Sequence, residues 1–354
     1  MRGMQAEELA RIRFRGTHRV TVVPSPTGEL ILLEGTSCRV LDDELRQTAV
    51  FEVGALGYDL TVIALDGAVL LGTEDALRLW SFGGKEIARL PLQPWGGGLR
   101  GSVASISGAI WSVHFPQEPG DAQLRWVLAR LSADDLTVTH QADLSHLGAH
   151  QFGLFDLGQG RVGVDLFRAP DYLGTLCAHL DGAALALSEV TASPPELDAV
   201  VGSAHGKLLA RTYDDVILAD ALTLGVVARS ARTETFGTDE SGGSRDDPAC
   251  LLQGPGGRLL LYTTLGHLGE LRVVDGRLRF DRLALPGVEV ERATMRMSDV
   301  TTGFEGVVTR EQTNVNRVLE WGDRYLTVHS GKPSTDAELR VWKLSDGPAP
   351  AGRT

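Results

Sequence analysis

Three cysteines, two asparagines and four lysines are all that this chain of 354 residues holds of those types. Each scarcity excludes something. Cys38, Cys177 and Cys250 are odd in number, far apart and set in apolar runs. That excludes a disulfide framework and a C-x-x-C redox or metal motif, and predicts reduced, buried thiols. Few Lys and Asn beside abundant Arg, Ala, Gly and Leu fit GC-rich coding, and a bacterial source is expected. Basic residues are outnumbered, 34 against 46 acidic, for a net charge of −12. Nucleic acid and anionic membrane surfaces both select for Lys and Arg, so neither is the expected partner. No apolar run approaches the length of a membrane span. The first eleven residues carry no apolar stretch of a secretory signal. A cytoplasmic protein kept soluble by its acidity is the expectation.

What is present is a long series of short apolar runs, each of 4–8 residues and bounded by Gly, Asp, Ser or Pro. Hydrophobic residues make up 43% of the chain, enough for a packed core. Amphipathic helical periodicity is absent, so the reading is all-β. The runs group in fours. Leu60–Leu65, Ala68–Gly72, Ala76–Trp80 and Glu86–Leu90 are four strands, a to d, joined by turns such as Asp66-Gly67 and Phe82-Gly83-Gly84. A repeat of four strands every 40–50 residues or so is the signature of propeller blades.

The third strand carries a recurring string. It reads Leu77-Arg78-Leu79-Trp80, Leu124-Arg125-Trp126-Val127, Leu271-Arg272-Val273-Val274 and Leu339-Arg340-Val341-Trp342, with Cys38-Arg39-Val40 similar and weaker copies around Leu176 and Ile217. Seven markers mean seven blades. The segments Leu77–Lys85 and Leu339–Gly347 resemble the end of strand c in WD40 repeats. The Trp matches, but the Asp that should follow it is Ser81 in one copy and Lys343 in the other. No blade shows the family's Gly-His dipeptide together with its hydrogen-bonded tetrad. The resemblance implies the fold and brings no catalytic residue with it.

The expected architecture is a seven-bladed β-propeller of four-stranded antiparallel blades. It forms a single domain over 1–346, with blades near 20–53, 60–92, 102–143, 152–189, 197–229, 248–285 and 316–344. The last blade lacks its fourth strand, and Leu9–Phe14 is available to complete it, which would close the propeller and hide a sheet edge. A short helix over Gln5–Ile12 is the competing reading. Residues 347–354, rich in Pro and Gly, are expected to be a flexible tail.

Chain length is spent unequally. The a–b and c–d turns are short: Asp66-Gly67, Ser107-Gly108, Asp181-Gly182, Asp275-Gly276 and Gly322-Asp323. The b–c and d–a connections, on the other face, are long. They are Pro94–Arg100, Phe115–Ala122, Asp143–Gln151, Phe167–Gly174, Arg229–Asp247, Pro286–Val315 and Ser330–Ala337. Within the longest, Val288–Glu291 and Gly306–Thr309 have the alternation of a hidden strand pair. Long loops on a rigid scaffold are where binding concentrates. Aromatic and arginine side chains dominate interface hot spots, so Trp95, Arg100, Phe236, Arg245 and Phe304 are the expected contacts.

Catalytic patterns are missing. There is no G-x-S-x-G elbow, no phosphate-binding glycine loop and no H-E-x-x-H. Six of nine histidines, namely His18, His114, His146, His150, His267 and His329, fall in or near the long connections and read as solvated side chains. Thr238–Asp247 gathers four carboxylates with glycines, and without the EF-hand order it reads as a flexible acidic loop rather than a calcium site. Asp42-Asp43, Asp134-Asp135 and Asp214-Asp215 fall at turns and read as backbone caps. The expected function is noncatalytic: a scaffold that binds a protein or peptide through the long-loop face, with no cofactor and no metal. The alternative is a propeller-type hydrolase or lactonase with a metal-assisted site at the channel mouth.

Overall fold

The computed structural model describes residues 4–15, 20–54, 61–73, 75–92, 103–114, 125–168, 171–182, 184–189, 199–238, 243–299, 304–330 and 336–346. Seven four-stranded antiparallel sheets account for most of them. Blade 1 is Val20–Pro24, Leu30–Glu34, Ser37–Leu41 and Gln47–Glu52, and blade 2 is Thr61–Ala64, Ala68–Gly72, Ala76–Ser81 and Glu86–Pro91. Blade 3 is Val103–Ile106, Ala109–His114, Val127–Leu131 and Val138–Asp143, and blade 4 is Gln151–Gly158, Arg161–Arg168, Asp171–Asp181 and Ala184–Leu187. Blade 5 is Ala199–Ala204, Lys207–Arg211, Asp215–Asp220 and Val226–Ala231, and blade 6 is Pro248–Gln253, Leu259–Thr263, Leu268–Val274 and Arg277–Arg282. Blade 7 is Val315–Trp321, Arg324–Ser330 and Asp336–Asp346, and its fourth strand is Met4–Arg15. This is the seven-bladed β-propeller architecture, with the N-terminal strand completing the last blade.

The chain forms two compact units. One is His18–Leu197, with blades 1 to 4; the other is Met1–Thr17 with Asp198–Thr354, with blades 5 to 7. Within each unit the apolar pattern follows from blade stacking. A second strand is covered on both faces by neighbouring blades, so Ala68–Gly72 and Ala109–His114 are buried at every position. Outer strands alternate, as in Gln47–Glu52 and Glu86–Pro91, because one face meets solvent. Leu70 and Leu71, at 1% and 0% exposure, each contribute about 2 kcal/mol of burial. Turns Ser107-Gly108, His205-Gly206 and Asp275-Gly276 hold both residues at positive φ, the geometry that matches strand twist in two-residue hairpins.

The recurring arginine of strand c is a clamp. Arg78 pairs with Glu86 of its own fourth strand, lies 5.1 Å over the Trp80 ring, and donates to the Val53 carbonyl at the exit of blade 1 (3.2 Å). Arg340 repeats the device. It pairs with Glu338 (2.5 Å) and approaches Glu8 of the N-terminal strand (3.7 Å). It also donates to the Gly287 carbonyl beyond blade 6 (2.9 Å). Six of the seven markers lie in third strands; Arg125 instead precedes Val127–Leu131.

The N-terminal strand runs longer than Leu9–Phe14 and no helix forms over Gln5–Ile12. Its register sets Ile12 opposite Leu339 and Phe14 opposite Ala337, and a bulge between Glu8 and Ala10 leaves Leu9 46% exposed. Two other expectations change, and the hidden strand pair of the longest connection forms. Phe167–Gly174 is not a long loop, because the two strands run up to Arg168 and Asp171, which pair directly. Pro286–Val315 contains a two-stranded sheet, Val290–Asp299 with Phe304–Thr313. Arg229–Asp247 begins inside a strand and continues as a short helix, Arg232–Phe236.

Among the described histidines, three are buried rather than solvated. His114, His267 and His329 are 3%, 5% and 1% exposed. In blade 7 the Trp342 indole N–H donates to Thr327 Oγ1 (2.7 Å), and Thr327 in turn meets His329 Nε2 (2.6 Å). His329 Nδ1 lies 3.2 Å from Asn314 Oδ1. With Trp342 fixing the direction, Thr327 donates to Nε2 and the ring proton sits on Nδ1. The histidine comes from the end of strand b, not from a Gly-His dipeptide, so inspection for the dipeptide misses the chain. Burial lowers the pKa of His329 to about 4, and that of His114, 2.9 Å from Ser112 Oγ, also to about 4.

Candidate functional site

The turn Thr264–Gly266, between the second and third strands of blade 6, is held from two sides. On one side stands Asp246, 1% exposed, at the end of the acidic segment. Its carboxylate accepts from Thr263 Oγ1 (2.6 Å), Thr264 Oγ1 (3.3 Å), the Leu265 amide (3.1 Å) and the Asp247 amide (2.8 Å). Asp247 pairs with Arg232 at the start of the short helix. Two of the four carboxylates read as a flexible acidic loop are therefore structural, Asp246 buried against the tight turn and Asp247 paired with Arg232. A buried carboxylate is retained only when its lone pairs are filled, as these are.

On the other side stands the hairpin Val290–Asp299 with Phe304–Thr313. The Thr313 amide donates to the Leu265 carbonyl (2.9 Å) and Thr313 Oγ1 donates to the Gly266 carbonyl (2.7 Å). His267 Nε2–H donates to the Glu311 carbonyl (2.9 Å), and burial lowers the His267 pKa, which keeps the ring a neutral donor. Gly266 has φ +84°, and a Cβ there would lie 2.3 Å from Thr313 Oγ1 and 2.7 Å from the Val315 carbonyl. Only glycine permits this approach.

Between the hairpin base and the exit of blade 6 is a cleft of about 270 Å³. Leu268, Leu283, Leu285, Val288 and Val290 form its apolar wall, and His267, Arg282, Glu311 and Thr313 its polar edge. Arg282 Nη1 and Glu311 Oε2, 3.2 Å apart, close the rim as an ion pair that is half exposed. The hairpin pairs with no further strand among the described residues. Isolated two-stranded hairpins are marginal in water, so the staples to blade 6 are what hold this one.

Of the expected contact residues, Trp95 and Arg100 lie outside the described residues. Phe236 is 8% exposed and packs against Phe280 at 5.6 Å between centroids. Arg245 donates from Nε to the Thr238 carbonyl (2.6 Å), following Phe236 in the same connection. Phe304 sits at the far end of the hairpin, opposite Asp299. The cleft residues were not expected. Alternation in Val288–Glu291 and Gly306–Thr309 marked the strands, but nothing local pairs Glu311 with His267 or Arg282. Among the described residues no three His, Cys, Asp or Glu side chains converge as metal ligands. Asp215 pairs with Arg229, whereas the other two aspartate pairs cap turns: Asp42 Oδ1 accepts the Glu44 and Arg46 amides, and Asp135 Oδ1 the Thr137 amide. These hydrogen bonds lower both carboxyl pKa values. Among the described residues no helix is long and apolar enough to cross a membrane.

No protein family profile matches the chain, and no curated protein matches it in sequence. Solved structures do. The WD40 domain of SCAP from fission yeast overlays at TM-score 0.53 and 9% identity, covering 96% of this chain and 94% of that one. The Neurospora crassa Pan2 WD40 domain overlays at TM-score 0.54 and 8% identity, covering 98% and 99%. At such identities the likeness is one of fold.

Proposed function

We propose, from the premise of a WD40-like β-propeller fold, that this protein is a noncatalytic scaffold. It binds a protein or peptide partner through the face that carries the b–c and d–a connections. The observation that supports this most is the stapled hairpin. Twenty-odd residues are folded into a strand pair that completes no blade, yet Thr313 and His267 fix its base to a blade 6 turn that Gly266 lets it approach. Structure of that kind with no role in blade packing is where binding surfaces are built on rigid scaffolds. Arg245 and Phe304 remain proposed contacts, as do Trp95 and Arg100.

The test is affinity capture from lysate of the source cell with two baits, the wild type and a version in which 291–312 is replaced by a glycine linker. Thr313 and Asp246 are kept, because both satisfy the blade 6 turn. A partner retained by the wild type and lost by the variant, with melting unchanged, supports the reading. A partner indifferent to the hairpin overturns it. The hydrolase or lactonase alternative predicts stoichiometric metal in the purified protein, which elemental analysis decides.

A further inference from the structure

The outer edge of Phe304–Thr313 is a strand edge in use at one end and open at the other. In an antiparallel pair each residue turns its N–H and C=O either toward the partner strand or away from it, in alternation. The Thr313 amide and the Glu311 carbonyl both point away from Val290–Asp299, because Leu265 and His267 take them. The same alternation turns the main-chain groups of Thr309 and Val307 outward. No strand of the described residues pairs with them. Val307 is 53% exposed and Thr309 is exposed too. Natural proteins blunt open edges with proline or charge. Here the outward positions are Val307 and Thr309, set between Glu305 and Arg310, and the cleft follows further along the same strand, where Glu311 and Thr313 line it.

The cleft also limits what it takes. Its volume of about 270 Å³ lies below the range of about 300–1,000 Å³ typical of cofactor and drug-sized sites. It suits one bulky amino-acid side chain. Six aliphatic side chains, Ala284 among them, line it, and its only described charges, Arg282 and Glu311, are already paired with each other. The site therefore offers main-chain hydrogen bonds along an edge and a single apolar socket, with no net charge to select an ionic group. Those are the two components of recognition by strand addition.

We infer that an extended segment of a partner protein adds as a third strand to the Val307–Thr309 edge, placing one leucine, methionine or phenylalanine side chain in the cleft. This rests on the proposed partner-binding role and names its mode. Val307 is the position that tests it. Its amide points away from the existing ladder, so proline there removes an outward donor and no hairpin hydrogen bond.

The probe is a set of labelled peptides of alternating Thr and Lys whose central residue is Ala, Leu or Phe, measured by fluorescence polarisation. A matched Leu peptide is N-methylated along one edge. Leu and Phe peptides are expected to bind at least about tenfold tighter than Ala, the scale of one buried side chain. Val307→Pro and the N-methylated peptide are each expected to lose at least about tenfold, while Val307→Thr, which keeps the amide, stays within about threefold. Circular dichroism and melting of Val307→Pro establish that it folds, and Thr309→Pro is the second variant. Equal binding of Ala and Leu peptides, or binding unchanged by either proline, overturns the inference. A cellular partner that needs the hairpin but binds Val307→Pro as well as wild type overturns the strand mode and leaves the scaffold reading standing.

Discussion

At the scale of single residues, the buried histidines set how the protein responds to acid. His114 and His329 titrate near 6.5 when unfolded and near 4 when folded, because burial disfavours the imidazolium. Between those values the unfolded chain binds more protons, so stability is full above pH 6.5 and falls as pH drops toward 4. Each ring contributes about 3 kcal/mol over that window. Denaturant midpoints at pH 7 and pH 5 are expected to differ in that direction, and ring NMR signals of both residues should not titrate above pH 5. Trp342→Phe removes the donor to Thr327 and leaves part of a fully buried site unfilled. It is expected to cost about 2–4 kcal/mol in urea unfolding, with the fold retained. The strand-c arginines were legible as a repeat, but their purpose was not. That Arg78 reaches Val53 and Arg340 reaches Gly287 depends on which blade end lies beside them.

At the scale of elements, the blade 6 turn and the hairpin stand or fall together. Gly266→Ala places a methyl against Thr313 Oγ1 and the Val315 carbonyl at positive φ. A cost of about 2–4 kcal/mol is expected, with amide exchange at Thr313 accelerated more than in blade 7. Hydrogen-exchange mass spectrometry resolves this, and uniform protection across 304–313 in the variant would contradict the stapling role. The sequence marked the strand pair by alternation in two short segments, yet the whole connection read as a loop. A hairpin that joins no larger sheet has no third strand to announce its register. The acidic segment misled for a related reason. Asp246 and Asp247 sit among glycines and serines, a local composition of open loops, and only the distant Thr263–Leu265 turn makes Asp246 a buried acceptor.

At the scale of the molecule, closure by Met4–Arg15 is the feature with the largest consequence. Deleting it removes the partner of every residue from Asp336 to Asp346 and bares an edge strand that includes Leu339, Val341 and Trp342. Loss of cooperative melting and concentration-dependent aggregation are expected, measured by calorimetry and light scattering, and a soluble monomer with unchanged melting would refute the lock. The sequence alone determined the all-β class; it pointed to seven blades and a closing N-terminal strand, and the structure decided both against the rival strand pair and helix. These rest on alternation, turn residues and repeat period, which act over a few residues. Tertiary structure alone decided that His114, His267 and His329 are buried, that Asp246 is an anchor, and that Glu311, Arg282 and Leu285 share a cleft. Those facts depend on which connections the stacked blades bring together, and separations of 29 or 44 residues along the chain carry no periodic trace of that.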